Sequence, residues 1–213
     1  MHYLLTDADG RDWLNREWGP EKTHRTDNEN HRPHTYADPL TAVLLCPAFE
    51  AYVEPRIFKA DGTGSGDDSF RTSWASLTTL EEITPPVVTD EQRITFGVVC
   101  ALNAVGQKEF GRWALDWLRG ANRSSDDARV LEGKMIAEIM LARDPDECYG
   151  AAHAACAAVA HTLPQDVKLY AACAAHRAWA DTLLSPNKMN LTEIATVCTM
   201  FPPEEIGKML GGQ

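Results

Sequence analysis

Four residues in the stretch HAACAAVAHTLPQDVKLYAACAAH, residues 153 to 176, are of the types that bind zinc: His153, Cys156, Cys173 and His176. Tetrahedral zinc takes two thiolates and two imidazoles. Spacing of i and i+3 puts His153 with Cys156 on one helical face, and Cys173 with His176 on another. Leu163–Pro164–Gln165 must turn, because proline disfavours the helical conformation in the residue before it and is tolerated at the start of a helix. In an antiparallel hairpin about that turn, Cys156 stands at the height of Cys173 and His153 at that of His176. Close packing explains the same letters. Alanine at most intervening positions lets two backbones approach, cysteine is another small residue that such a contact tolerates, and the histidines then form a hydrogen-bonded pair in the core or at its rim. Equal height does not fix equal facing, so no metal or cofactor is assigned.

Other chemistry is thinly represented. His24, His31 and His34 fall in a polar, aperiodic segment, Gly19 to Thr35, that reads as a solvated loop. No nucleophile elbow, zinc-protease helix, Walker loop or dinucleotide fingerprint occurs. The glycines of DGTGSGDD lie between two expected strands, 50 to 60 and 70 to 80, and read as a hairpin loop whose acids Asp61, Asp67 and Asp68 repel phosphate but suit a basic partner. Trp13 and Trp18 sit among charged residues and either close the first domain over the second or are candidate apolar anchors of an interface. An enzymatic reading, a nucleotide- or NAD-using transferase, would place its site in the first part of the chain near His34, Tyr36 and Glu54.

These residues must be held by two different kinds of structure. Composition changes near Pro85–Pro86. Before it, short alternating apolar runs and turn residues predict a small α/β unit over residues 1 to 85, with a strand at 3 to 5 and a helix capped by Asp38. After it, residues 86 to 213 show helical periodicity and predict a mainly antiparallel bundle of about six helices, so the fold class is α+β. The first of these opens on Thr89 and Gln92, a capping box. The second stripes Phe110, Trp113 and Trp117, the third begins at Ser124 or Ser125 and buries Val130, Leu131, Met135, Ile139 and Met140, and a last one begins near Asn190. FPPEEIGKMLGGQ reads as a terminal turn and tail.

Formal net charge is -11. Residues 1 to 85 carry 8 Lys and Arg against 15 Asp and Glu, a net of -7, and residues 86 to 213 carry 12 against 16, a net of -4. Such a balance argues against gripping phosphates and for meeting a basic surface. The six dispersed cysteines form no C-x-x-C pair, and no signal or membrane segment is evident, which predicts a reduced, cytoplasmic protein.

The helices over about residues 88 to 185, with the W-x-x-x-W of Trp113 and Trp117, YGAAHAACAAVAH and YAACAAHRAWA, resemble the alanine-rich helical domains of predicted immunity proteins of bacterial polymorphic-toxin systems and of phage proteins. The resemblance implies stoichiometric binding and transfers no catalytic residue. The expectation is a noncatalytic acidic inhibitor or immunity-type protein. It would dock Trp13, Trp18, Asp61, Asp67, Asp68, Asp126 and Asp127 on a basic protein such as a nuclease or CRISPR effector. A structural or oligomerisation module of a phage or mobile element is the third possibility.

Overall fold

The computed structural model describes residues 1–49, 52, 54–67, 71–104, 106, 108–141, 146–159, 164–182 and 189–211. The chain divides into two compact units, Met1–Val87 and Val88–Gln213. Together they make an α+β protein. No helix among the described residues is long and apolar enough to cross a membrane.

In the first unit, strands β1 (His2–Thr6), β2 (Thr23–Arg25), β3 (His34–Tyr36), β4 (Arg56–Asp67) and β5 (Arg71–Ile83) form one antiparallel sheet, and helix α1 spans Pro39–Phe49. The sheet runs β2-β5-β3-β1-β4 and closes on itself, since β4 also pairs with β5. Tyr3 faces Tyr36 across β1 and β3, Leu5 faces Ile57 across β1 and β4, and Arg71 faces Tyr36 across β5 and β3. Closure satisfies backbone groups that an open edge would expose.

Leu4 and Leu5 must point to opposite faces of β1, yet each is 2% exposed. Leu4 joins a core cluster with Trp18, Ala60, Trp74 and Leu77, while α1 packs on β1 and β3. Asp38 caps α1 as its position predicts, accepting from the backbone N–H of Leu40 and of Thr41 at 2.9 and 3.0 Å.

Two sequence expectations change here. The segment from Gly19 to Thr35 is not a bare loop. It holds β2, a 3-10 turn at Glu29–His31 and the start of β3, each fixed by the neighbouring β5 or by side-chain caps, which hydropathy does not register. DGTGSGDD is not a hairpin loop either: Asp61 to Asp67 continue β4, paired with β5 from Thr78 to Thr72. The glycines are there because the partner strand needs room. A Cβ on Gly62 would stand 2.4 Å from the Ser76 carbonyl oxygen and 2.6 Å from the Trp74 ring. Gly64 has φ of +71°, a conformation other residues resist.

The second unit contains α2 (Asp90–Ala104), α3 (Lys108–Leu118), α4 (Ser125–Leu141), α5 (Asp146–Val159), α6 (Pro164–Thr182), α7 (Leu191–Met200) and α8 (Pro203–Leu210). Among the described residues that is seven helices, because the expected terminal turn forms α8, with Pro203 in its first turn. Helix α2 is central and packs on α3, α5, α6 and α7, which explains why it is apolar around most of its circumference. Its capping box forms: the Gln92 N–H donates to Thr89 Oγ1 at 3.2 Å and the Thr89 N–H to Gln92 Oε1 at 2.9 Å. Helix α6 begins at Pro164; Leu163 lies outside the described residues.

Helix α4 departs most from expectation. Leu131 and Met135 are buried as the periodicity predicts, but Val130 is 58% and Met140 81% exposed. At 100° per residue these two lie well off the stripe shared by Ala128, Leu131 and Met135. Hydrophobicity alone, without that rotation, assigns them to the core.

Candidate functional site

The two units hold the candidate residues separately. In the first, Asp12 organises the segment that carries both tryptophans. Its Oδ1 accepts from the N–H of Leu14 and Arg16, and its Oδ2 from Arg16 Nε at 2.7 Å and from Trp18 Nε1 at 2.9 Å. Trp18 is 3% exposed, so it is a core residue and not the interface anchor its charged neighbours suggested. Asp12 and Arg16 bind each other here, and Asp12 also takes the indole N–H. Trp13 remains 46% exposed, tilted against His34.

The three histidines of this region do not gather. His24 bonds to the Glu17 carbonyl and meets the edge of Trp18, His31 contacts Asn28 and His34 faces Trp13. Of the residues named for a transferase, Tyr36 is wholly buried and Glu54 exposed.

Charge in the first unit is unevenly spent. Five of its eight basic residues are tied to acids of the same unit: Arg16 to Asp12, Lys22 to Glu17, Arg32 to Glu29, Arg56 to Glu82 and Lys59 to Glu81. The Arg56 hydrogen bonds hold the Glu82 carboxyl below its ordinary value. Asp7 and Asp38 accept backbone N–H groups in caps and turns. Asp9, Glu21, Asp27, Glu54 and Asp61 are exposed and form no ion pair among the described residues. Asp67 ends β4 and Asp68 lies outside the described residues.

In the second unit, Asp126 and Asp127 are exposed in the first turn of α4, where acids oppose the helix dipole; Asp127 accepts from Asn122 Nδ2 at 2.8 Å. His153 and Cys156 share a face of α5, as i and i+3 require, and both line a cavity of about 370 Å³ between α4, α5 and α6. Across the hairpin, Cys173 and Cys156 both act on Tyr170, which lines the same cavity. Cys156 donates its S–H to Glu132 of α4 at 3.1 Å, and His176 stacks on Trp179 of its own helix. Among the described residues no three His, Cys, Asp or Glu side chains come together to hold a metal. Helix rotation, which equal height leaves undetermined, is the reason.

The cavity has an aromatic row, an apolar wall and one acid. Rings of Tyr149 and Tyr170 flank His153 at centroid distances of 6.4 and 6.2 Å. Ile136, Ile139 and Met140 supply the wall, and Glu132 the carboxylate. His153 Nδ1 lies 2.7 Å from the Tyr149 carbonyl oxygen, which can only accept, so Nδ1 carries a proton and, in the neutral tautomer, Nε2 is an acceptor. Burial first, then the hydrogen bond to Glu132, pushes the Cys156 thiol well above its ordinary value. That is the reverse of the activation a nucleophilic cysteine needs. Burial, followed by Cys156, Asp166, Glu132 and Cys173, likewise raises the Tyr170 phenol.

Sequence reading found His153 and Cys156 but missed Glu132, Tyr149 and Tyr170, which come from three helices and share no short motif. No family model, curated protein or solved structure matches this chain, so the alanine-rich helices and acidic first unit are read on their own chemistry.

Proposed function

We propose that this chain is a noncatalytic, cytoplasmic inhibitor or immunity-type protein that covers a basic, nucleic-acid-binding surface of an effector such as a nuclease or CRISPR complex. One observation carries the reading. In the first unit the basic side chains are largely consumed by internal pairs, while Asp9, Glu21, Asp27, Glu54 and Asp61 face solvent with no ion pair among the described residues. A surface of that kind presents carboxylates where a nucleic acid presents phosphates, and charge complementarity speeds encounter and rejects acidic partners. Asp126 and Asp127 add a second exposed acidic pair in the helical unit.

Pull-down from the source cell at about 50 mM and about 0.5 M salt tests this, because screening over that range removes most of an exposed electrostatic attraction. A basic nucleic-acid-binding protein should be retained at low salt and lost at high salt. It should also be lost from a variant carrying Asp9→Asn, Glu21→Gln, Asp27→Asn, Glu54→Gln and Asp61→Asn. Retention that neither salt nor neutralisation weakens would refute the reading.

A further inference from the structure

The cavity of the helical unit has a chemistry of its own, independent of the acidic surface on the first unit. Glu132 forms no ion pair among the described residues, although one of its oxygens accepts the Cys156 S–H. Its other oxygen makes no hydrogen bond among the described residues, and the cavity it faces opens to solvent beside Ile136 and Met140. Around it stand three rings, His153 between Tyr149 and Tyr170, and the faces of the two tyrosines attract cations. Neither tyrosine hydroxyl makes a hydrogen bond among the described residues. The His153 ring, protonated at Nδ1, offers a lone pair at Nε2. The two phenol O–H groups can donate as well as accept, the S–H donor is already used, and the one carboxylate of the lining is Glu132. One face of Tyr149 already meets the chain's own Arg177 guanidinium, 5.4 Å from the ring centroid, so Tyr170 is the ring with no such contact among the described residues. Ile136, Ile139 and Met140 complete the lining with carbon and sulfur.

We propose that this cavity between α4, α5 and α6 binds an organic ammonium on an apolar arm, with Glu132 and the aromatic row receiving the charged head and Ile136, Ile139 and Met140 the arm. A metal ion is a poor fit, because the acceptors are too few and too far apart. An anion would meet Glu132 directly. The ammonium can belong to a free amine or to a lysine side chain of a bound protein, and the chemistry recognised is the same.

Titration calorimetry with phenylbutylamine, phenylbutanol and phenylbutyrate tests the assignment, since the three probes share an arm and differ in charge. The amine should bind at least about tenfold more tightly than the alcohol, the size of one partly desolvated charge or cation–π contact, and the carboxylate should not bind. Glu132→Gln, checked for unchanged circular dichroism, should reduce the amine to the affinity of the alcohol while leaving the alcohol as it was. Tyr170→Leu should weaken the amine more than the alcohol and supplies a second reading should Glu132→Gln alter the fold. Binding of N-acetyl-lysine methylamide as tight as that of the amine assigns the head group to a protein's lysine, and binding of the free amine alone assigns it to a small molecule. Equal affinity for amine and alcohol, a preference that survives Glu132→Gln, or no binding of any probe overturns the proposal.

Discussion

Asp12 has four donors on two oxygens and a side chain only 2% exposed. Its role is to let a polar, apparently surface-bound segment fold into the core and bring Trp18 with it. Asp12→Ala should therefore cost about 3 kcal/mol in urea unfolding, because it strands the Trp18 N–H and the Arg16 charge together. Asp12→Asn keeps an oxygen for the two backbone N–H groups but turns an NH₂ towards Arg16 or Trp18, so its loss should be intermediate. Sequence reading misplaced Trp18 for the same reason: charged neighbours signal solvent unless they bond to one another, and pairing is invisible in a linear list. It succeeded with Asp38, Thr89 and Asn190, whose capping partners lie within three residues.

At the scale of elements, two glycines show how contact decides the sign of one substitution. A Cβ on Gly97 of α2 would lie 3.1 Å from the backbone of Ala171 in α6, where the alanine-rich faces meet. Gly133 of α4 has no described atom within 4 Å of such a Cβ. Gly97→Ala should destabilise by about 1–3 kcal/mol through overpacking. Gly133→Ala should stabilise by about 0.5–1 kcal/mol through helix propensity. Thermal melts of the two variants, read against the parent, check both. Helix positions were legible because periodicity of 3.6 is a local property. Helix rotation was not, which is why His153 and Cys156 were rightly placed on one face while the residues they meet across the hairpin were not foreseen. The far half of β4 was hidden for a different reason: glycines that admit Trp74 and Ser76 across the sheet look, in sequence, like the glycines of a turn.

For the whole molecule, a net charge of -11 must be carried largely by exposed carboxylates, since the cations of the first unit are mostly paired. Mutual repulsion among them opposes compactness and is screened by salt. The melting temperature should therefore rise between about 10 mM and about 0.2 M sodium chloride, where the Debye length shrinks from about 30 Å to below 8 Å. A fall over that range would mean that ion pairs outweigh repulsion. The closed ring of strands also constrains how the protein is made. Strand β1 leaves the ribosome before either neighbour exists, and its partners, β3 and β4, follow it by some thirty and fifty residues. Nascent β1 must wait, and the seam between β3 and β5 cannot be sewn until Arg71 to Ser73 have emerged. The helical unit waits in the same way, because α2 packs on α6 and α7, some seventy-five and a hundred residues further on, so each unit closes its core only when distant chain arrives.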